Sequence, residues 1–232
     1  MSDFTGFEFN EADLSKDGVR RTGQRGAIAC FTAGTRILTP QGQRPVEHLV
    51  PGDMVMTRDH GLQTLRWIGC RHVDTNEIAD FDQVRPVRIR KGALGNQMPD
   101  RDLLVSGDHR VMVSGPGFEE LLLDADEVLV PAKLLLGRDG VSVDEADAVI
   151  YYHLMFDETE LLLSEGIWTE STQPVTGSLA GPDAEAIDEL HRLFPELKLA
   201  AAAPKTPRLT LDPVLAGMFG FTGATLLTTR PA

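Results

Sequence analysis

The sequence has little of three things: cysteine, cationic side chains and long apolar runs. Two cysteines in 232 residues are too few for a scaffold held together by disulfides. Lysine and arginine number 22 against 35 aspartates and glutamates, which gives a formal net charge of −13. This excess of negative charge argues against nucleic acid and anionic membranes as partners. No stretch approaches the roughly 20 apolar residues that a membrane span needs.

The first 28 residues are polar and open with an acidic run, Met1 to Glu8. They lack the charged n-region and the apolar h-region of a Sec signal. We therefore interpret residues 1–28 as a flexible leader. We expect a soluble protein, either cytoplasmic or exported by a leaderless route.

Short apolar or alternating segments recur between turn signals over residues 29–175. Pro51-Gly52-Asp53 is a typical turn, and the alternation from Val87 to Arg90 is typical of a half-buried strand. Residues 28–39 are predicted as one strand, 131–136 as a helical turn, and 149–156 with 160–163 as a strand pair around Asp157-Glu158-Thr159. This spacing predicts an all-β domain.

Beyond residue 175 the composition changes. Pro182 suits a first helical position, with Asp183 and Glu185 favourable in the first turn. One apolar face follows at Ile187, Leu190, Leu193 and Phe194. Residues 176–232 are therefore predicted to hold a short helix and a loose tail.

Cys30 and the distant Ser106-Gly107-Asp108-His109 element provide the groups that attack on a backbone amide requires. An amide needs a nucleophile, a group that distorts or protonates it, and an acid for the leaving amine. A thiol with a reference pKa of ~8.5 is partly ionised near neutrality. Attack by Cys30 on the carbonyl of Ala29 passes through a five-membered ring, so little entropy is lost. The product is a thioester, which water or another nucleophile opens.

His109 is the natural acid for the departing nitrogen of Cys30, or else a hydrogen-bond partner that weakens the amide resonance. Ser106 can bond the same backbone, and Asp108 is a candidate to orient the imidazole. Because Ser-x-x-His is a common pattern, His109 alone also fits a surface or core histidine. We interpret Cys30 as a free, reactive cysteine and Cys70 as buried and incidental. The alternative is a single disulfide between them.

Three blocks of sequence combine in one order. Cys-Phe-Thr-x-Gly-Thr at Cys30, with Pro-Val-Glu-x-Leu at 45–49 and Gly-Asp-x-Val at 52–55, resembles the opening block of Hint domains. That module is shared by Hedgehog autoprocessing domains and inteins. Residues 104–111 resemble the second block, and residues 152–166 resemble the late block. Arg-Trp-Ile-Gly at 66–69 and Val-Pro-Ala-Lys at 130–133 look most like the bacterial intein-like branch of alphaproteobacteria.

The resemblance implies a Hint-type, pseudo-twofold β-horseshoe with both ends near its centre. It implies that Cys30 is the nucleophile and that Ser106 and His109 match the Thr-x-x-His pair. His153 falls where many inteins carry a catalytic aspartate. A neutral imidazole there would be a second proton carrier near pH 7, and the alternative is a structural side chain in a strand.

The sequence also departs from the family pattern. Inteins end in His-Asn followed by Cys, Ser or Thr, whereas residues 167–172 read Ile-Trp-Thr-Glu-Ser-Thr. Without the asparagine there is no succinimide step, so full splicing is not expected. Thr159 stands where the late block usually has a histidine. No sterol-binding extension is evident.

We therefore expect an autoproteolytic domain whose substrate is its own N-terminal segment. Cys30 makes an N–S acyl shift at the Ala29–Cys30 bond, and the thioester is hydrolysed or transferred to an external thiol or amine. The alternative is a catalytically degenerate Hint fold that serves as a structural or export-associated module. No cofactor or metal is expected, because His48, His72 and His191 lack a cysteine or carboxylate cluster at ligand spacing.

Overall fold

The computed structural model describes residues 29–74, 85–114, 127–172, 206–211 and 217. Within these ranges the chain is almost entirely β-structure, with short 3₁₀ turns at Val46–His48 and Ala132–Leu135. The second of these lies in the predicted helical turn. The strands are β1 (Phe31–Thr32), β2 (Arg36–Thr39), β3 (Gly42–Pro45), β4 (Met54–Thr57), β5 (Gly61–Thr64), β6 (Trp67–Val73), β7 (Val87–Ile89), β8 (Leu103–Val105), β9 (Arg110–Ser114), β10 (Glu127–Pro131), β11 (Val141–Val143), β12 (Val149–Met155), β13 (Leu161–Ser164), β14 (Ile167–Glu170) and β15 (Leu209–Thr210).

The strands form two sheets. The first has the order β11-β7-β8-β1-β12-β6. The second has the order β15-β10-β9-β14-β13-β2-β3, with β4 paired to β13 and β5. Both sheets contribute to one buried apolar cluster, which includes Phe31 and Leu154 from the first and Ile37 and Leu162 from the second. The all-β, Hint-type fold expected from the sequence is confirmed.

The chain passes repeatedly from one sheet to the other, at 33–35, 65–66, 106–109, 132–140 and 156–160. Cys30 lies just before the first of these links. Ser106 and His109 stand at the two ends of the 106–109 link, and His153 lies near the end of β12, before the link at 156–160. Candidate residues that are distant in sequence thus lie in strands of the first sheet, beside them, or in a link between the two sheets.

The first link corrects the expectation of a single strand over residues 28–39. Gly34 has φ +86°, a conformation that favours glycine, and it separates β1 from β2. The carboxylate of Glu47 accepts a hydrogen bond from the Gly34 N–H at 2.8 Å. The N–H of Val46 donates to the carbonyl of Thr35 at 2.8 Å. The Pro-Val-Glu-x-Leu run therefore fixes the turn that follows Cys30.

The predicted pairing of segments 149–156 and 160–163 is wrong. β12 pairs with β1 and β6 in the first sheet, whereas β13 pairs with β2, β4 and β14 in the second. None of Asp157, Glu158 and Thr159 has a positive φ, which a tight two-residue hairpin turn requires. The link therefore crosses between sheets, and Thr159 lies half-buried within it.

The sequence left open whether residues 176–232 pack on the β-domain, and residues 206–211 do. β15 runs parallel to β10 at the edge of the second sheet. Arg208 donates to Glu127 at 2.9 Å and to Asp59 at 2.7 Å, and Leu211 is fully buried. The predicted helix near 182–194 and the leader lie outside the described residues. In the described part of the chain, no helix has the length and apolar character that crossing a bilayer requires.

Truncating a core leucine should cost far more stability than truncating an exposed one on a neighbouring hairpin. Leu162 on β13 is fully buried, whereas Leu62 on β5 is 40% exposed. We expect Leu162→Ala to lower the free energy of unfolding by about 2–5 kcal/mol and Leu62→Ala by less than about 1 kcal/mol. Urea unfolding at equal m-value measures both. Equal losses would contradict the assignment of β13 to the core.

Candidate functional site

Cys30 lies just before β1, which is flanked by β8 and β12. It is 6% exposed. Its Sγ lies 3.5 Å from Nδ1 and 3.7 Å from Nε2 of His153. The thiol and the imidazole are therefore in direct contact in a site largely closed to water.

Burial changes the ionisation of the thiol. Desolvation raises the pKa of Cys30 to about 12, against smaller lowering effects from the hydrogen bond to Ser106 and the positive charge of Arg71. At neutral pH the group is a thiol and not a thiolate, which corrects the expectation drawn from a free cysteine. A neutral thiol needs a base in contact with it to become a nucleophile.

His153 has the ionisation state that such a base needs. Burial lowers its pKa to about 4, opposed by a hydrogen bond with the backbone of Ala29. The ring is therefore neutral at pH 7 and free to accept a proton. Its partner across the β6–β12 pair is Gly69, where an added Cβ would lie 2.1 Å from the Trp67 ring. Only glycine leaves room for that indole, which accounts for the Trp-Ile-Gly run.

Ser106 holds the nitrogen side of the candidate scissile bond. Its Oγ accepts a hydrogen bond from the N–H of Cys30 at 3.1 Å. Its own N–H donates to the carbonyl of Cys30 at 3.0 Å. The amide nitrogen that would become the leaving group is thus fixed against a hydroxyl.

His109 is fully buried beside the same backbone. Its ring packs edge-on to Phe31, with centroids 4.5 Å apart and planes at 65°. Burial lowers its pKa to about 3, and the Cys30 backbone acts in the opposite direction. Neither ring nitrogen makes a hydrogen bond within the described ranges. An unsatisfied buried polar group costs about 1–3 kcal/mol, and such groups are typical of functional sites.

Asp108 does not orient this imidazole. Its carboxylate forms an ion pair with Lys133. The Ser-x-x-His turn itself is closed by a hydrogen bond from the N–H of His109 to the carbonyl of Ser106 at 3.0 Å.

Thr172 is a site residue that the sequence reasoning missed. Its Oγ1 donates a hydrogen bond to the carbonyl oxygen of Ala29 at 3.0 Å, and the residue is 2% exposed. Residues 167–172 were considered only for the asparagine that they lack. The sequence feature that could have indicated Thr172 is a hydroxyl side chain two residues after β14, the last strand of the β-domain.

Cys70 is exposed and not bridged to Cys30, so the expectation that it is buried is wrong. It lies on β6, the edge strand of the first sheet, in one row with Tyr152 and Phe31. Cys30 contacts His153, which lies in the adjacent row, and the side chains of adjacent rows face opposite sides of a sheet.

Within the described residues, no group of three or more His, Cys, Asp or Glu side chains could hold a metal ion.

The family model described as the Hint domain matches residues 29–176. Among solved structures, the chain is similar to the bacterial intein-like domain from Clostridium thermocellum, at 16% identity and a TM-score of 0.39, over 61% of this chain and 97% of that one. It is similar to the AceL NrdHF class 3 split intein at 12% identity and a TM-score of 0.40, over 62% and 97%. For the gp41-1 intein the values are 10% and 0.36, over 61% and 97%. A search of curated proteins found no match.

The two buried histidines should make stability fall on mild acidification. Their folded pKa values, about 3 and about 4, lie below the ordinary value of about 6.5, so only the unfolded chain gains protons as pH falls through 6.5. Each histidine should therefore remove about 1 kcal/mol of stability between pH 7.5 and 5.5. Urea unfolding at both pH values measures this loss. His109→Gln should abolish the part of the loss that His109 contributes.

The matched control is His72→Gln, which removes an imidazole that is exposed on β6. It should keep the wild-type loss, because both buried histidines remain in place. If His109→Gln loses as much stability as the wild type over the same interval, His109 is not held neutral by the fold.

Proposed function

The chain belongs to the Hint domain family, and on that premise we propose that it cleaves its own backbone at the Ala29–Cys30 bond. Intein-like Hint domains act on the segments that flank them, and the matched residues begin at Ala29. The observation that carries the proposal is the contact of the Cys30 thiol with the neutral imidazole of His153 at 3.5 Å. A nucleophile and its base thus meet beside one amide.

The first step is attack on the carbonyl of Ala29. His153 takes the proton of the Cys30 thiol, and Sγ bonds to the carbonyl carbon while the carbonyl electron pair moves to oxygen. With a thiol pKa of about 12, attack and proton transfer belong to one event, because a free thiolate is scarce at neutral pH. Tethering removes the entropy cost of bringing the two groups together.

The second step is loss of the nitrogen of Cys30. The carbon–nitrogen bond breaks, and the imidazolium of His153 returns its proton to that nitrogen. The products are a thioester between Ala29 and Sγ and a free amine on Cys30, so atoms and charge balance without a further reactant. Ser106 accepts from the N–H of this nitrogen and so holds the leaving group in place while the bond breaks.

For His109 the sequence left two roles open. A pKa of about 3 leaves too little imidazolium at pH 7 for the acid role. The role we propose is a neutral ring that lowers the barrier by hydrogen bonding to the distorted amide. Its ring nitrogens have no hydrogen-bond partner among the described residues before the reaction, so one of them is available to make that bond in the transition state.

The thioester is then opened by water or by an external thiol or amine. Residues 167–172 contain no asparagine, so the proposal ends at cleavage or transfer and excludes splicing. Each molecule reacts once.

Cys30→Ala should abolish processing, whereas Cys70→Ala, which removes the exposed cysteine, should not. The intact mass of freshly purified chain, with and without dithiothreitol, measures this for both variants and the wild type. We expect a species beginning at Cys30 in the wild type and in Cys70→Ala only, increased by the thiol. Full-length mass in every sample would instead identify a degenerate Hint fold with a structural or export-associated role.

The rate of thioester formation should be nearly constant between pH 6 and 8.5. Over this range His153, with a pKa of about 4, is neutral, and Cys30, with a pKa of about 12, is protonated. In His153→Ala hydroxide must remove the thiol proton, so the rate should be lower and rise about tenfold per pH unit. Cleavage at saturating thiol is the measurement, with His72→Ala as the control. A tenfold rise per pH unit in the wild type would rule out His153 as the base.

A further inference from the structure

We infer that the hydroxyl of Thr172 stabilises the oxyanion that forms on Ala29 when Cys30 attacks. This inference rests on the proposed function and assigns it a further catalytic residue. The observation is the hydrogen bond from Thr172 Oγ1 to the carbonyl oxygen of Ala29, at 3.0 Å. This is the oxygen on which negative charge develops during the first step.

The bond is of the kind that strengthens during reaction. A threonine hydroxyl has one proton to donate, and here it is directed to a single acceptor. A hydrogen bond to a charged group is stronger than a typical one between neutral groups. Thr172 is 2% exposed, so little water competes for its hydroxyl proton. The hydrogen bond therefore stabilises the transition state more than the ground state, and this difference lowers the barrier.

The backbone around Thr172 holds the hydroxyl in place before the reaction begins. The N–H of Thr172 donates to the carbonyl of Leu154 at 2.9 Å. The preceding residue, Ser171, is bonded twice to Glu160: its N–H donates to the Glu160 carbonyl at 2.8 Å, and its Oγ accepts from the Glu160 N–H at 2.9 Å. The first of these bonds ties the segment after β14 to β12, the strand that carries His153, and the other two tie it to the link that follows β12.

The two sheets thus supply donors and acceptors to the two ends of one amide. Ser106, after β8 of the first sheet, accepts at the nitrogen side. Thr172, after β14 of the second sheet, donates at the oxygen side. The imidazole of His153 also interacts with the Ala29 backbone, so the imidazolium formed on thiol deprotonation would add positive charge near the same oxygen.

The role requires no transfer of the Thr172 proton. When the sulfur–carbon bond forms, the π electron pair of the carbonyl moves to oxygen, and the hydroxyl donates a shorter bond to it. When the carbon–nitrogen bond breaks, the pair returns and the carbonyl is restored. Thr172 ends the step unchanged.

Thr172→Val keeps the shape of the side chain and removes the donor, whereas Thr172→Ser keeps the donor. We expect Thr172→Val to slow thioester formation about 100-fold and Thr172→Ser to stay within a few-fold of wild type. Cleavage at saturating thiol gives the rates. The control is Thr169→Val, which removes another buried hydroxyl from the same segment, bonded to Ser164 at 2.9 Å. It should lower stability and leave the rate within a few-fold of wild type.

A second measurement detects the hydrogen bond between Thr172 and the Ala29 carbonyl independently of the cleavage reaction. In a Cys30→Ser background, Ala29 becomes the one alanine followed by serine. Carbonyl-¹³C alanine with ¹⁵N serine then gives a single HNCO signal for the bond. Thr172→Val should move this carbonyl resonance upfield because a donor is lost, and Thr169→Val should not move it.

The outcomes separate the two proposals. If the wild type is processed and Thr172→Val is processed at the same rate, the inference about Thr172 is overturned and the proposed function is not. A carbonyl signal that does not respond to Thr172→Val would overturn the hydrogen bond on which it rests. A wild type that is never processed, while its carbonyl signal responds, would overturn the proposed function and with it any catalytic role of Thr172.

Discussion

The removal of water from the side chains of Cys30, His109 and His153 is the constraint on which the rest of the site depends. It raises the pKa of the Cys30 thiol and lowers the pKa values of His109 and His153, so all three groups are neutral at pH 7. Charge can then appear only during the reaction, and each proton must move by direct contact. This explains why the thiol and the His153 ring touch, and why hydrogen bonds are already present at both ends of the amide.

The same constraint explains the architecture. Several segments, and not a single loop, carry the groups around the amide: β12, the starts or ends of strands, and the link at 106–109. Hydrogen bonds hold these segments in place. The turn after Cys30 is fixed by Glu47, and the segment that ends at Thr172 is fixed by Leu154 and Glu160. A buried site with unsatisfied nitrogens on His109 is costly, and the core shared by the two sheets offsets this cost.

The parts of this site that sequence could predict are those defined by residue type. Cys30 and the Ser106–His109 pair could be predicted from the chemistry of their residue types, and turn signals predicted the all-β class. His153 was implied only by the family resemblance. Three features depended on three-dimensional placement: the ionisation of Cys30, the crossing of Asp157-Glu158-Thr159 between sheets, and the contact of Thr172. A free thiol has an ordinary pKa, a polar triplet is as compatible with a hairpin as with a crossing, and a threonine after a strand has no distinctive pattern. Each becomes determined only when the neighbouring sheet is present.

β1 lies between two partners inside its sheet, with Phe31 in register with both Tyr152 and Val105. Breaking the bond before Cys30 leaves that strand where it was, so the new amine stays next to the thioester from which it came. In the proposed acyl shift, this amine attacks the thioester and restores the amide, which is the lower-energy side of the equilibrium. Under this proposal, net release depends on how fast an outside nucleophile reaches the acyl group.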